Sequence, residues 1–206
     1  MKLLQSVSLF LSLCLFSSCF EIDEYISLTE KGSGNYKQVI NLKEAYAAME
    51  MLASMDTSNK KGPAMTSVLS WENIKKVKGI RNLRIDSVDH VYTWSFDFDN
   101  IQSLNNAISS IYNGNQETVE YYSFDGSTFK KNFTGFESIT ETSPEESEMT
   151  LSFFKDARVD LNVTFDKKIR SINQSMAIKK DKSFSISTNF EAIVNENSLK
   201  LEVKLK

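Results

Sequence analysis

Apolar and polar residues alternate with a period of two along several segments, which is the pattern of a half-buried β-strand. The strongest alternation puts an aromatic ring at every second position: Tyr92, Trp94, Phe96 and Phe98. An earlier segment has apolar residues of a single parity: Phe20, Ile22, Ile26 and Leu28. Turn residues 31–35 follow it, so the sequence predicts a hairpin whose second strand covers residues 36–40.

Apolar residues spaced by three and four predict amphipathic helices between these strands. The segments concerned are residues 42–53, 66–78 and 101–111. Gly79 is placed to end the second of these helices, and Asn100 is placed to cap the start of the third.

The second half of the chain is predicted to consist mainly of strands. A hairpin turns at Asp125-Gly126, a favoured two-residue turn, and an acidic loop covers residues 137–148. The remaining strands are residues 159–165, 184–190 and 199–205. This order of elements predicts an α+β fold: an antiparallel sheet of hairpins and a C-terminal meander, with two or three helices packed on one face.

The N-terminus has the pattern of a secretory signal peptide. Lys2 is the only charged residue before Glu21, and the apolar stretch over residues 3–16 is too short to span a bilayer as a helix. We therefore expect residues 1–18 to be a signal peptide and residues 19–206 to form a single α+β envelope domain.

The stretch Phe16-Ser17-Ser18-Cys19 resembles the lipobox of bacterial lipoproteins. The resemblance implies that Cys19 becomes the first residue of the mature chain and carries acyl chains such as palmitate. Cys14 is the alternative, but Leu13 is too bulky for the position before the cut. An ordinary secreted protein is the other alternative, although neither cysteine has a partner in the mature chain for a disulfide.

The acidic segment Glu21-Ile22-Asp23-Glu24 directly follows that cysteine. It resembles the export signal of surface lipoproteins in the Bacteroidetes, which implies a Bacteroidetes-like host. The resemblance places the protein in the cell envelope, on the periplasmic or surface-exposed side of the outer membrane. The alternative interpretation is the solvated face of a strand.

The mature part resembles the LppM-type lipoprotein domain of bacterial envelopes. The matching motifs are Cys19, Gly32-Ser33-Gly34, Gly79-Ile80, Phe96-x-Phe98-x-Asn100-Ile101-x-x-Leu104-Asn105 and Leu161-Asn162-Val163-Thr164-Phe165. Related domains often have a proline-glycine turn after the last motif, where this chain has Asp166-Lys167-Lys168. The resemblance implies a mixed α/β envelope domain and no enzymatic activity.

Composition and motifs argue against several classes of function. The net charge of −3 disfavours a nucleic-acid partner, which requires a basic stripe. His90 is the only histidine, so no histidine cluster for zinc can form, and no Gly-x-Ser-x-Gly motif supplies a nucleophile. We therefore predict no catalytic residues, no metal and no cofactor.

Three positions remain as candidates for binding or modification. Met51 and Met55 lie off the buried face of the first helix and could line an apolar groove for an acyl chain or an envelope protein; a plain core helix is the alternative. Asp86-Ser87-Val88 matches the short O-glycosylation sequon of Bacteroidetes envelope proteins, with Ser87 as the modified residue.

Together these patterns predict a lipid-anchored envelope lipoprotein with a noncatalytic binding or scaffolding domain. Its expected partners are the membrane, through acylated Cys19, and an envelope protein or apolar ligand. The alternative from another class is a carboxylate-dependent hydrolase that uses Asp97 and Asp99, which share one face of a predicted strand.

Overall fold

A computed structural model describes residues 20–47, 71–112, 118–133, 157–195 and 200–206. The strands in chain order are β1 Glu21–Leu28, β2 Gly34–Asn41, β3 Ile80–Val88, β4 Val91–Phe98, β5 Tyr122–Phe124, β6 Thr128–Asn132, β7 Arg158–Phe165, β8 Ile169–Ile172, β9 Ile178–Lys179, β10 Ser183–Asn189 and β11 Lys200–Leu205. The helices are α1 Ile101–Tyr112, α2 Phe190–Asn195 and a 3-10 helix Trp71–Lys76, and residues 43–47 are also helical.

The strands form two sheets. The first has seven strands in the order β3-β4-β2-β1-β7-β10-β9, and the second has four in the order β5-β6-β11-β8. Neighbouring strands are antiparallel except for β1 and β7, which are parallel. The predicted α+β class is confirmed, with two differences in detail: the β1–β7 pair is parallel, and the C-terminal strands are divided between the two sheets. Alternation of apolar and polar residues predicts which side of a strand is buried, but it does not predict which strand lies next to it.

The predicted aromatic strand lies near one edge of the first sheet. Trp94, Phe96 and Phe98 are buried to 1% exposure or less, and Tyr92 is half-buried. The predicted cap is also present: the backbone N–H of Ser103 donates to Oδ1 of Asn100 at 2.9 Å, directly before α1. The rings and the apolar side of α1 belong to one hydrophobic core.

The second sheet packs on the inner side of the first and closes the core between them. Phe129 of β6 contacts Phe165 of β7 edge to face, with ring centroids 5.5 Å apart. Asn105 of α1 is buried. Its side-chain amide donates a hydrogen bond to the carbonyl of Tyr122 and accepts one from the N–H of the same residue. These contacts join the helix and both sheets into one core.

The β3–β4 hairpin turns through two residues in the left-handed region. Asp89 has φ of 55° and His90 has φ of 62°. Two consecutive positive φ angles are typical of the type I′ turn, whose twist matches that of the flanking strands. The backbone N–H of Leu42 donates to the carbonyl of His90 at 3.0 Å, so this turn is tied to the end of β2.

Several sequence predictions fall outside the described residues. These are Cys19, Met51, Met55 and the acidic loop 137–148. The helix expected over residues 42–53 is described only at residues 43–47, where it is helical. Of the helix expected over residues 66–78, the described part is the 3-10 helix, which ends before Gly79 at φ of 84°.

Candidate functional site

The predicted anchor residue is joined directly to the folded domain. Cys19 is separated from β1 by Phe20 alone, and the carbonyl of Phe20 accepts a hydrogen bond from the N–H of Arg158 at 3.0 Å. Phe20 is half-buried and packs against the core. Because consecutive Cα atoms lie about 3.8 Å apart, an acyl anchor on Cys19 would attach with no linker between it and the sheet.

The strand registers define what lies beside that attachment point. Glu21 pairs with Asn41 of β2, which pairs with Val91 at the start of β4. On the other side, Glu21 pairs with Arg158 of β7, which pairs with Asn189 at the end of β10. One end of the seven-stranded sheet therefore carries the anchor position, and we call it the anchor end.

The outer side of the first sheet is open. None of the outward side chains of β1, β2, β4, β7 and β10 is buried, and most are polar. Their residues are Glu21, Asp23, Tyr25, Ser27, Asn35, Lys37, Val39, Asn41, Val91, Thr93, Ser95, Asp97, Arg158, Asp160, Asn162, Thr164, Ser183, Ser185, Ser187 and Asn189. We call this surface the open face. Its hydroxyl and amide groups make it a hydrogen-bonding platform.

Tyr25 lies at the centre of the open face. It belongs to β1, the middle strand of seven, and it is 42% exposed. Across the neighbouring strands it pairs with Lys37 and Asn162, and Nζ of Lys37 lies 5.7 Å from the ring centroid. Seven strands about 4.8 Å apart extend this row over about 29 Å. Partial burial and the nearby Asp23 raise the pKa of Tyr25, so its hydroxyl stays neutral.

An ionic cluster occupies the open face near the anchor end. Arg158 lies between three acidic side chains, with Nη1 3.4 Å from Glu21 and Nε 3.3 Å from Asp160. Asp23 pairs with Asp160 across the parallel strands, and its pKa is raised by burial and then by that carboxylate. Within the described ranges, no group of three or more acidic, histidine or cysteine side chains is arranged to hold a metal ion.

The core contains an ion pair between the two sheets. Nζ of Lys131 lies 2.5 Å from Oε2 of Glu24 and donates to the hydroxyl of Tyr122 at 2.5 Å. The ammonium also lies over the rings of Tyr122 and Phe133. Burial lowers the pKa of Lys131, and the Glu24 carboxylate offsets part of that effect. Oε1 of Glu24 has no hydrogen-bond partner in the part of the chain that the structure describes.

The sequence contains a signal for this pair that apolar patterns alone do not show. Glu24 has the same parity as Ile22 and Ile26, so it points inward with them. Lys131 likewise has the same parity as the buried Phe129 of its strand, so it points inward with that ring. A charged residue at an apolar parity position is the feature that could have identified both residues.

The carboxylates of the alternative hydrolase are engaged by separate partners. Asp97 accepts hydrogen bonds from the side-chain amides of Asn35 at 2.9 Å and Asn82 at 2.5 Å, and these bonds lower its pKa. Asp99 forms an ion pair with Arg81 at 2.8 Å. A general acid needs a raised pKa, so the surroundings of Asp97 suit a structural carboxylate better than a proton donor.

The other sequence candidates lie on the β3–β4 hairpin. His90 is exposed, and its ring stacks on Tyr46 with centroids 4.0 Å apart and an angle of 15° between the planes. Ser87 is also exposed and pairs with Tyr92, so a modifying enzyme could reach its hydroxyl. Among the described helices, none is long and apolar enough to cross a bilayer.

The chain is similar in structure to solved proteins, but in sequence it matches no protein-family model and no curated protein. Among solved structures, the NMR structure of the folded domain of the Mycobacterium tuberculosis LppM protein is similar, with a TM-score of 0.49 and 12% sequence identity. The match covers 92% of this chain and 90% of the LppM chain. A similarity at this level assigns neither a family nor an activity.

Proposed function

We propose that the protein is a cell-envelope lipoprotein, anchored through acylated Cys19, whose domain binds a partner noncatalytically through the open face. The observation that supports binding is the open face itself, a polar surface over five strands of the seven-stranded sheet that none of the described elements covers. The position of Phe20 supports direct anchoring, because this residue follows Cys19 and is already hydrogen-bonded to Arg158 at the start of β7.

The chemistry of the open face favours binding over hydrolysis. Its hydroxyl, amide and charged groups are spread across strands, and Tyr25 provides the one exposed ring at their centre. A binding surface has this form: complementary polar groups around a central aromatic residue. The fitting partner is another envelope molecule with a polar surface. An apolar ligand at Met51 and Met55 is the second candidate, supported by the sequence pattern of that helix alone.

Membrane fractionation tests the anchor. The Cys19→Ala variant should lose partition into the detergent phase or accumulate as an uncleaved precursor, because no sulfur remains to receive the diacylglycerol. Cys14→Ala is the matched control and should partition like the unaltered protein. The proposal is wrong if Cys19→Ala still partitions with the detergent while Cys14→Ala does not.

A further inference from the structure

The anchor end of the sheet carries exposed apolar and aromatic groups. Val88, the last residue of β3, is 64% exposed although it is apolar. The next two residues form the hairpin turn, in which the exposed His90 ring stacks on Tyr46. Tyr46 and Tyr92 are each half-buried and pack against the hydrophobic core.

Backbone contacts place this group beside the anchor position. Val88 pairs with Val91, Val91 pairs with Asn41, and Asn41 pairs with Glu21, so all four residues lie in one row at the end of the sheet. Three strand spacings separate β3 from β1, which is about 14 Å. An anchor on Cys19 would therefore hold the hairpin tip close to the membrane surface.

The charges at this tip are compatible with a lipid surface. Lys43 forms an ion pair with Asp89 at 2.6 Å, so the turn presents a neutral pair to the headgroups. Tyrosine rings, with an apolar body and a polar hydroxyl, are enriched at the interface between membrane and water. One exposed valine binds a bilayer weakly when free. A covalent anchor makes that contact intramolecular and raises its effective concentration.

We propose that the anchor end docks on the phospholipid bilayer, with Val88 and the Asp89-His90 turn in contact with the lipid interface. This inference rests on the proposed anchor at Cys19. In this orientation the strands run parallel to the membrane normal. The open face is then perpendicular to the membrane plane and accessible from the side. Eight residues of β1 then raise the opposite turn, residues 29–33, by about 26 Å above the surface.

A single-cysteine label tests the contact. The mature lipidated chain has its only cysteine at Cys19, where the sulfur is acylated, so Val88→Cys provides one free thiol for an environment-sensitive fluorophore. The labelled lipoprotein is reconstituted into vesicles of phosphatidylethanolamine and phosphatidylglycerol that contain a nitroxide-labelled lipid. His90→Cys gives a second label position in the same turn.

Ile178→Cys is the matched control, because Ile178 is also apolar and is 68% exposed. It pairs with Ser185 at the far edge of the sheet, in the row that contains Tyr25. That row lies four residues along β1 from Glu21, about 13 Å from the anchor end. Interfacial burial predicts blue-shifted emission and about twofold or more greater nitroxide quenching at Val88 than at Ile178.

The outcomes separate the docking from the anchor. If the vesicles float with the lipoprotein but the labels at Val88 and His90 are quenched no more than the label at Ile178, docking is overturned and the anchor stands. If the lipoprotein does not float with the vesicles, the anchor is overturned, and the docking falls with it. Flotation with selective quenching at Val88 and His90 supports both.

Discussion

Glu24 of β1 and Lys131 of β6 form a buried ion pair between the two sheets, although they lie 107 residues apart in the chain. Their side chains are only 6% and 8% exposed. Removing two charges from water costs several kcal/mol for each ion, and good geometry must offset that cost. The hydroxyl of Tyr122 accepts one further hydrogen bond from the ammonium.

Breaking this pair from one side should destabilise the fold strongly. Lys131→Met leaves the Glu24 carboxylate buried without its cation, so the free energy of unfolding should fall by about 3–5 kcal/mol. The double variant Glu24→Met/Lys131→Met removes both charges and should recover most of that loss, or exceed the unaltered protein. Equilibrium denaturation of the four proteins gives the coupling energy. Purely additive losses would show that the two charges do not act as a pair.

The strands and caps of this fold could be predicted from sequence, and the pairing of strands could not. Alternation from Tyr92 to Phe98 identified β4 because one side of the strand is buried. The same rule places Glu24 and Lys131 inward, but it cannot say that they meet. Contacts between distant strands depend on which faces pack together, and a local pattern contains no information on that.

The open face was harder to foresee for the same reason. Tyr25 lies on the polar, outward side of β1, so the sequence of this strand alone suggests an ordinary solvent-exposed residue. Its position becomes distinctive only when β1 is placed in the middle of seven strands, with β7 parallel beside it. The parallel pairing joins segments more than a hundred residues apart, and the turn sequences that identify hairpins concern only strands that are adjacent in the chain.

The aromatic strand predicts a second stability effect. Phe96 is 1% exposed and stacks on Tyr36 with ring centroids 5.2 Å apart. Phe96→Ala removes a buried ring and leaves a cavity, so the free energy of unfolding should fall by about 3–5 kcal/mol. Ser95→Ala, on the outer side of the same strand, should change it by less than about 0.5 kcal/mol. Similar small effects for both variants would mean that the ring is not part of the core.

Asp23 predicts a dependence of stability on pH. Burial and the neighbouring Asp160 raise its folded pKa above the unfolded value near 3.8, so between these two values the folded chain binds more protons. Stability is therefore greater below this window and falls as the pH rises through it. Asp23→Asn should raise the melting temperature at neutral pH by about 1–2 °C and have no benefit at pH 3.

Asp86→Asn is the control for that prediction, because Asp86 lies in the same row at the edge strand β3. It should change the melting temperature little at either pH. A stabilisation by Asp23→Asn that is equal at pH 3 and pH 7 would exclude the carboxylate charge as its cause.

The open face and the hydrolase alternative predict opposite outcomes for two substitutions. In a binding surface, central aromatic residues contribute most of the affinity and peripheral contacts contribute little. Tyr25→Ala should therefore weaken function strongly, by about tenfold or more in partner affinity, whereas Asp97→Asn at the corner should have little effect. A hydrolase that uses Asp97 would instead lose activity by orders of magnitude on Asp97→Asn and tolerate Tyr25→Ala.

Complementation of a deletion strain, with each variant at matched abundance in the membrane, distinguishes the two. Asp99→Asn serves as a second carboxylate variant, since Asp99 is paired with Arg81. Ser187→Ala removes an exposed hydroxyl at one side of the open face and controls for a nonspecific change there. Because Asp97 accepts from two asparagine side chains, thermal unfolding must first show that Asp97→Asn is folded. Loss of complementation by folded Asp97→Asn, with Tyr25→Ala active, would overturn the binding function and support the hydrolase.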